Sequence, residues 1–245
     1  MIDLEREGGI ARIFLNRPEK VNALSASLLD SLAAEVERLA ANESLRVLVL
    51  AGRGKVFCAG ADVGELATLN ESTAPAFVAR VHRVCEALRA LPVPVIAQLH
   101  GVVIGAGLEI AAACDLRIAA KGTRFAMPEV RLGIPSVVEA ALLPRLMGSG
   151  RAAWLVLTGE AIDAERAYQW GLVEEVTEDL DQTVGRVVQS LVAADRRTLH
   201  VQKKLLQLWE EAPLARSVDG SLARFAEAYA DGVPPALRRH TISRA

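Results

Sequence analysis

The chain has 245 residues, of which 51% are hydrophobic and 24% charged, so it is long enough to bury a large core without disulfides or structural metal. The formal net charge of -2 leaves no basic excess to neutralise phosphates. Neither nucleic acid nor an anionic membrane surface is therefore expected as a partner, and a small-molecule ligand is favoured.

The N-terminus and the cysteines both predict a cytoplasmic protein. Residues 1–7 are charged where a signal peptide needs an apolar stretch, and no uncharged apolar run of about 18 residues occurs later. Cys58, Cys85 and Cys114 are an odd number with no metal-ligand spacing. This pattern indicates small, reduced thiols in the protein interior.

The first predicted elements are a strand and an amphipathic helix. Residues 11–15 alternate as a strand does, and Ser25 or Ser27 is placed to cap the helix that follows. That helix presents one apolar face, formed by Leu28, Leu32, Val36 and Leu39.

Three further apolar runs, residues 47–51, 94–97 and 116–119, are short and separated by helical stretches. This order predicts an α/β sheet that is buried on both faces. Beyond about Asp181 only helical periodicity is visible, so the C-terminal region is predicted to be helical. No linker or internal repeat marks a firm domain boundary.

Two carboxylates interrupt apolar sequence. Glu109 lies inside the glycine-opened run of residues 105–113, and Glu129 ends the run of residues 125–129. An ionised carboxylate in such surroundings loses hydration, so it shifts towards its neutral form or needs a partner, as catalytic acids and bases do. Taken alone, each glutamate has a structural alternative: Glu109 as a paired buried charge and Glu129 as a loop carboxylate that caps the next turn.

Nucleotide-binding patterns are incomplete. A dinucleotide motif starting at Gly105 needs a third glycine where Ile110 stands, and Val56 replaces the serine or threonine of a phosphate loop after residues 52–55. The glycines instead allow bare backbone to approach a ligand. Two such turns, residues 57–62 and 105–107, are each able to direct one amide at a single oxygen and form an oxyanion hole.

The sequence resembles the crotonase superfamily, the enoyl-CoA hydratase/isomerase family, along nearly its whole length. The motifs that carry the resemblance are Leu15-Asn16-Arg17-Pro18, Asn22-Ala23-Leu24, Phe57-Cys58-Ala59-Gly60-Ala61-Asp62, the run from His100-Gly101 to Cys114-Asp115, and Thr158-Gly159 leading to Gly171-Leu172-Val173. The resemblance implies a spiral of repeated β-β-α units over residues 1–190, approximately, and a helical trimerisation region over residues 191–245. It also implies a homotrimer, or a hexamer built from two trimers.

The resemblance further implies an active site and a reaction. The backbone N–H groups of Ala61 and Ala106 would hold the thioester oxygen, Glu109 would deprotonate a water that adds to C3, and Glu129 would deliver a proton to C2. The expected activity is the reversible hydration of a 2-enoyl-CoA, with coenzyme A as part of the substrate and no metal or redox cofactor. The residues implied near the adenine end of coenzyme A are Lys20, Val21, Ala23, Ala59, Asp62 and Val63, with Arg238 or Arg239 of a neighbouring subunit near its phosphates.

Three departures from the family pattern bear on the substrate, whose acyl chain the sequence leaves open. Ala106 stands where an oxyanion glycine is usual, and the segment after Glu129 is one residue shorter and lacks the glycine-rich stretch of many hydratases. Glu139 adds a third carboxylate there, which we interpret as a surface or helix-start charge in preference to a catalytic group. His100 is interpreted as a packed or hydrogen-bonded residue, and Asp62 as a residue that shapes its own turn.

Enoyl-CoA hydration is the leading hypothesis. An isomerase that shifts a double bond through one glutamate is the nearest alternative, because it uses the same enolate site. A non-catalytic scaffold or RNA-binding member is the distant alternative, disfavoured by the two glutamates and by the absence of a basic excess.

Overall fold

The computed structural model describes residues 1–230, 232 and 237, and every structural statement below concerns these residues. The strands are β1 (Ile2–Glu7), β2 (Ile10–Leu15), β3 (Val47–Gly52), β4 (Val95–Leu99), β5 (Val102–Ile104), β6 (Leu116–Ala120), β7 (Arg124–Ala126), β8 (Ile162–Asp163) and β9 (Glu175–Thr177). The α-helices are α1 (Ala26–Ala40), α2 (Val63–Leu66), α3 (Ala74–Ala90), α4 (Ala106–Ala112), α5 (Leu143–Met147), α6 (Ser149–Thr158), α7 (Ala164–Trp170), α8 (Leu180–Ala193), α9 (Arg196–Glu211) and α10 (Leu214–Glu227). Short 3-10 helices cover Pro18–Lys20, Glu129–Leu132 and Val138–Leu142.

Two sheets organise the chain. The larger has the strand order β1-β2-β3-β4-β6-β9, in which only the β1–β2 pair is antiparallel. The smaller has the order β5-β7-β8. The chain passes from the larger sheet to the smaller one at β4 to β5 and again at β6 to β7. This alternation forms the predicted spiral of β-β-α units, so the α/β fold class is confirmed.

The predicted strands and the first helix are present. The four apolar runs form β2, β3, β4 and β6, and residues 47–51 of β3 are fully buried, as a two-sided sheet requires. Ser25, and not Ser27, caps α1, because its hydroxyl accepts from the amide of Leu28 at 3.2 Å. The predicted apolar face of α1 is buried.

The chain forms two compact units, Met1–Ala193 and a second that begins at Ala194. The first unit contains both sheets and the main core. The second contains α9 and α10, which pack on each other, and Trp209 Nε1 donates to Ser221 Oγ at 3.0 Å. No strand follows Asp181 in the part of the chain that is described, as predicted. Over the same residues, no helix combines the length and apolar character needed to span a bilayer.

A buried arginine fixes the C-terminal end of α4. Arg117 lies in β6 and is 3% exposed. Its guanidinium donates to the carbonyls of Cys114 at 2.6 Å and Leu172 at 2.9 Å, and it forms an ion pair with Glu174 at 2.5 Å. These contacts satisfy the buried charge and anchor the segment that follows α4 to the larger sheet.

A buried asparagine holds the turn that follows β3. Asn22 is fully buried at φ +55°, a conformation that asparagine tolerates better than most residues. Its Nδ2 lies 2.9 Å from the carbonyls of Arg53 and Val56 and 3.1 Å from that of Phe57, while its Oδ1 accepts from the amide of Arg17 at 2.9 Å. The Asn22 side chain therefore links the segment between β2 and α1 to the turn that leads to Ala61.

Replacing this asparagine tests whether it organises the turn. Asn22→Ala leaves several buried backbone groups without a partner, so we expect a loss of about 2–3 kcal/mol in the free energy of unfolding. Asn42→Ala is the control, because the Asn42 side chain bonds only within its own exposed turn, to Ser44. Chemical denaturation of both variants is the measurement, and equal losses in the two would contradict the assigned role.

Candidate active site

In the turn of residues 57–62, which follows β3, one backbone amide has no acceptor among the described residues. The amide of Leu24 donates to the Gly60 carbonyl at 2.8 Å, and the amide of Asp62 donates to the Leu24 carbonyl at 3.0 Å. In a parallel bridge of this kind the residue between the two bonded groups, Ala61, directs its own N–H to the opposite side. That N–H has no acceptor among the described residues.

A second free amide lies at the start of α4. The Gly105 carbonyl accepts from the amides of Leu108 and Glu109 at 2.8 and 3.0 Å, and the Gly105 amide donates to the Ala126 carbonyl at 2.9 Å. Ala106 is the first residue of α4, so its N–H has no intrahelical acceptor, and it finds no other acceptor in the described part of the chain.

The two turns approach each other through glycine backbone. Cys58 bridges Val103, so the turn after β3 runs beside β5. A Cβ on Gly60 would lie 3.0 Å from the Ile104 carbonyl oxygen, and a Cβ on Gly105 would lie 2.3 Å from Glu129 Oε1. Both glycines also have positive φ, +95° and +53°. Only glycine satisfies the space and the conformation together.

Glu109 lies on α4, in a helix whose residues are all buried, and is 5% exposed. Burial is the main reason that its pKa is raised to about 8, and the negative charges of Glu129 and Glu139 raise it further. The backbone N–H of Ala140 opposes this shift. Glu109 is thus the buried acidic group that the sequence predicted, and at neutral pH its protonated form dominates in the absence of ligand.

Glu129 lies opposite, at the start of the 3-10 helix Glu129–Leu132, and is less buried than Glu109. Burial raises its pKa, while hydrogen bonds from its own backbone amide and from Ser136 lower it. Ser136 Oγ lies 3.1 Å from Glu129 Oε2. Ser136 is a contact that the sequence analysis did not assign, because nothing in its local pattern points to the glutamate seven residues earlier.

Glu139 is not the surface charge that we expected from the sequence. It lies in the first turn of the 3-10 helix Val138–Leu142, as a helix-start charge would, but it is only 8% exposed. His82 Nδ1 lies 2.7 Å from Glu139 Oε1. The helix that carries Glu139 packs against both α3 and α4, and this packing turns the side chain inward. No sequence pattern indicates the pairing with His82, which is 57 positions away.

One cavity brings the predicted groups together. It has a volume of about 110 Å³ and is lined by Ala61, Ala106, Glu109 and Glu129, with apolar side chains that include Phe77 making up most of the remaining wall. A larger depression of about 440 Å³ lies beside residues 136–156 and is lined by no titratable side chain. The smaller cavity is therefore the candidate active site.

The residues implied for coenzyme A lie close to one another. The amide of Ala59 donates to the Val21 carbonyl at 3.1 Å, and Ala59 and Val63 both line the cavity. Arg17, which the sequence analysis did not select, donates to the Ala23 carbonyl at 3.2 Å and to Asp62 Oδ2 at 2.6 Å. Of the residues implied for coenzyme A, three are exposed: Lys20, Val21 and Val63. Arg238 and Arg239 lie outside the described residues.

Two other interpretations from the sequence are confirmed. Asp62 shapes its own turn, since its Oδ1 accepts from the amides of Gly64 at 2.9 Å and Glu65 at 3.3 Å and caps α2. The Arg17 guanidinium beside Asp62 holds the pKa of that carboxyl below its usual range. His100 Nε2 lies 3.1 Å from the Gly54 carbonyl, so it is hydrogen-bonded outside the cavity.

Comparison with known proteins places this geometry in a family. Residues 5–230 match the family described as Enoyl-CoA hydratase/isomerase. The chain is 33% identical over 232 residues to the short-chain-enoyl-CoA hydratase of Clostridium acetobutylicum, covering 93% of this chain and 87% of that protein. It is 35% identical over 190 residues to the 1,2-epoxyphenylacetyl-CoA isomerase of Escherichia coli (strain K12), covering 76% and 72% of the two chains.

Solved structures agree with the sequence comparison. The crystal structure of an enoyl-CoA hydratase from Mycobacterium smegmatis matches with a TM-score of 0.92 and 33% identity, covering 96% of this chain and 93% of that one. Relatives named as hydratases support the hydration hypothesis, and relatives named as isomerases also occur. By fold, by sequence and along nearly all of its length, this chain belongs to the enoyl-CoA hydratase/isomerase family of the crotonase superfamily.

Proposed function

We propose that this enzyme is a 2-enoyl-CoA hydratase, which adds water reversibly across the C2–C3 double bond to give a 3-hydroxyacyl-CoA. The observation that carries the proposal is the shared cavity, where two carboxylates meet two backbone amides that have no acceptor in the described structure. Amides arranged in this way suit a carbonyl oxygen that gains negative charge, and paired carboxylates suit the addition of a water.

The amides of Ala61 and Ala106 would donate to the thioester oxygen of the substrate. When water attacks C3, electrons move onto this oxygen and form an enolate, whose charge is stabilised more strongly than that of the ground state. Both amides belong to backbone fixed by neighbouring hydrogen bonds, so little reorganisation is needed during the reaction. The chain's own groups therefore provide the electrostatic stabilisation.

The two carboxylates would manage the protons. Glu109, in its ionised form, which is the minor form at neutral pH without ligand, takes a proton from the water as the water oxygen bonds to C3. Glu129, protonated, delivers a proton to C2 as the enolate collapses. The net reaction adds one water to the substrate. At its end Glu109 is protonated and Glu129 is ionised, the reverse of their starting states. Exchange with solvent, or the reverse reaction, restores the starting state.

Several finer features belong to the same proposal. Coenzyme A enters as part of the substrate, with its adenine end near Lys20, Val21, Ala23, Ala59, Asp62 and Val63. No metal or redox cofactor is needed for the proton transfers described. We further propose a cytoplasmic homotrimer or hexamer in which residues 191–245 make subunit contacts.

An isomerase is the second candidate function, favoured by the similarity to a relative named as an isomerase. It would use the same two amides but only one carboxylate, which moves a proton between two carbons of the acyl group. A non-catalytic scaffold would need neither the two amides nor a catalytic carboxylate. Nothing in a binding role calls for the burial of Glu109.

Substitution of each glutamate tests the proton-transfer roles. Glu109→Gln and Glu129→Gln should each lower kcat by about 10²–10⁴-fold, because each removes one acid or base step. The control is Glu160→Gln, at an exposed position. Product analysis by mass accompanies the kinetics: a gain of one water indicates hydration, whereas a product of unchanged mass indicates isomerisation. Wild-type turnover that persists in both variants would exclude the mechanism.

Removal of one amide tests the oxyanion hole. Ala106→Pro deletes the N–H at the first position of α4, where proline is compatible with a helix. We expect kcat to fall about 10²–10³-fold, as for the loss of one oxyanion donor. Ala106→Ser is the matched control, since it changes the side chain and keeps the amide. If the serine variant lost as much activity as the proline variant, side-chain space rather than the amide would be responsible.

The raised pKa of Glu109, about 8, predicts the pH dependence. If ionised Glu109 is the base, kcat/KM should rise about tenfold per pH unit below that value for as long as Glu129 keeps its proton, because only the ionised fraction of Glu109 reacts, and it should fall again where Glu129 loses its proton. A pH series with a short 2-enoyl-CoA measures this limb. A limb near pH 8 that is unchanged in the residual activity of Glu109→Gln would exclude Glu109 as its source.

A further inference from the structure

A third carboxylate sits behind the two that line the cavity. Glu139 does not line the cavity, yet its charge acts on Glu109 and on the Cys85 thiol. One of its oxygens is 2.7 Å from His82 Nδ1; the other, Oε2, is buried and has no N–H or O–H donor among the described residues, and the weakly donating thiol of Cys85 lies beside the carboxylate. The His82 side chain is 55% exposed, so this pair reaches from solvent to the interior.

The placement of Glu139 is energetically unfavourable for a purely structural group. A buried carboxylate oxygen without an N–H or O–H donor costs more free energy of folding than an apolar side chain of the same size. The residue before it, Val138, has φ +41°, which a β-branched residue rarely adopts. Strain of this kind persists where the surroundings enforce it, and it is concentrated at functional sites.

The segment that carries Glu139 acts differently on the two candidate catalytic groups. Ser136 donates to Glu129 and favours its ionised form, whereas Glu139 places a like charge near Glu109 and favours its protonated form. Two side chains of one short segment, Ser136 and Glu139, thus shift the protonation of the two cavity carboxylates in opposite directions. Such separation is how paired acids acquire distinct roles.

We propose that Glu139, held by His82, is a positioning residue that acts through Glu109 and determines which protonation state of Glu109 meets the substrate. The inference rests on the proposed function only in that turnover provides one of its two readouts. The charge of Glu139 is fixed in place by His82, at the exposed end of the pair, and acts on Glu109 at the buried end. The segment that replaces the usual glycine-rich stretch therefore controls the working pH of the site.

The groups around Glu139 are consistent with this role. From α3 it is faced by His82 and Cys85, and burial together with the Glu139 and Glu109 charges raises the pKa of the Cys85 thiol well above its ordinary value, so this thiol stays neutral. From α4 it is faced by Glu109. The packed helix α5 carries one charged side chain, Arg145, at an exposed position.

Neutralising Glu139 is the direct test. Glu139→Gln removes the like charge, so Glu109 ionises at lower pH, and the midpoint of the pH profile of kcat/KM should move down by about one unit. Glu139→Met, equally neutral but unable to bond His82, should move it in the same direction. Glu86→Gln, at an exposed position on α3, is the control and should leave the midpoint unchanged. An unchanged midpoint in the Gln and Met variants overturns the proposal.

His82 provides a second arm. His82→Gln should move the midpoint when Glu139 is present and have no further effect in the Glu139→Gln background, since His82 acts only through Glu139. If His82→Gln moves the midpoint equally in the wild type and in Glu139→Gln, His82 does not act through Glu139 and the proposal is overturned. A loss of plateau rate with no movement of the midpoint indicates a structural role alone and also overturns the proposal.

A readout without turnover separates this proposal from the proposed function. The infrared carbonyl band of protonated Glu109, assigned by its loss in Glu109→Gln, reports the ionisation of this residue directly. The band should disappear at lower pH in Glu139→Gln than in the wild type. If the enzyme hydrates no enoyl-CoA but the band moves as expected, only the proposed function fails; if hydration is observed and the band does not move, only the role of Glu139 fails.

Discussion

The close approach of two backbone turns is the constraint on which the site depends. Glycine backbone meets glycine backbone at Gly60 and Gly105, and the proposed convergence of the Ala61 and Ala106 amides on one oxygen depends on this contact. Asn22 holds the first turn from behind, through three carbonyls of the segment that precedes it. A larger residue at Gly60 would press on the Ile104 carbonyl, and one at Gly105 would displace Glu129, so the same backbone contact determines both the packing and the position of a candidate catalytic group.

Much of the fold follows from local sequence, and the rest does not. Strands β2, β3, β4 and β6 are apolar runs that any buried sheet requires, and they are readable as such. In contrast, β5, β7, β8 and β9 have two or three residues each, too few to show a period, and β1 is half exposed and rich in charge. Their pairing is decided by tertiary contacts, which local sequence does not encode.

The same distinction applies to the site. Glu109 is visible in the sequence because a charge within an apolar helix is improbable, and the turns are visible through their glycines. Glu139 is not distinguishable in this way, since acidic residues are common at helix starts on the surface. Its burial results from the packing of its helix between α3 and α4, and its partner His82 comes from a distant part of the chain. Long-range side-chain pairs of this kind require coordinates.

The burial of several acids in one region also bears on the choice between hydration and isomerisation. In the proposed site both reactions would pass through an enolate held by the same amides, so the amides would not discriminate between them. Hydration, however, needs one carboxylate to accept a proton while the other donates one, and this requires unlike environments. Glu109 is more deeply buried and lies next to like charges, whereas Glu129 accepts a hydrogen bond from Ser136. The unequal surroundings of the two carboxylates therefore favour the reaction that uses both.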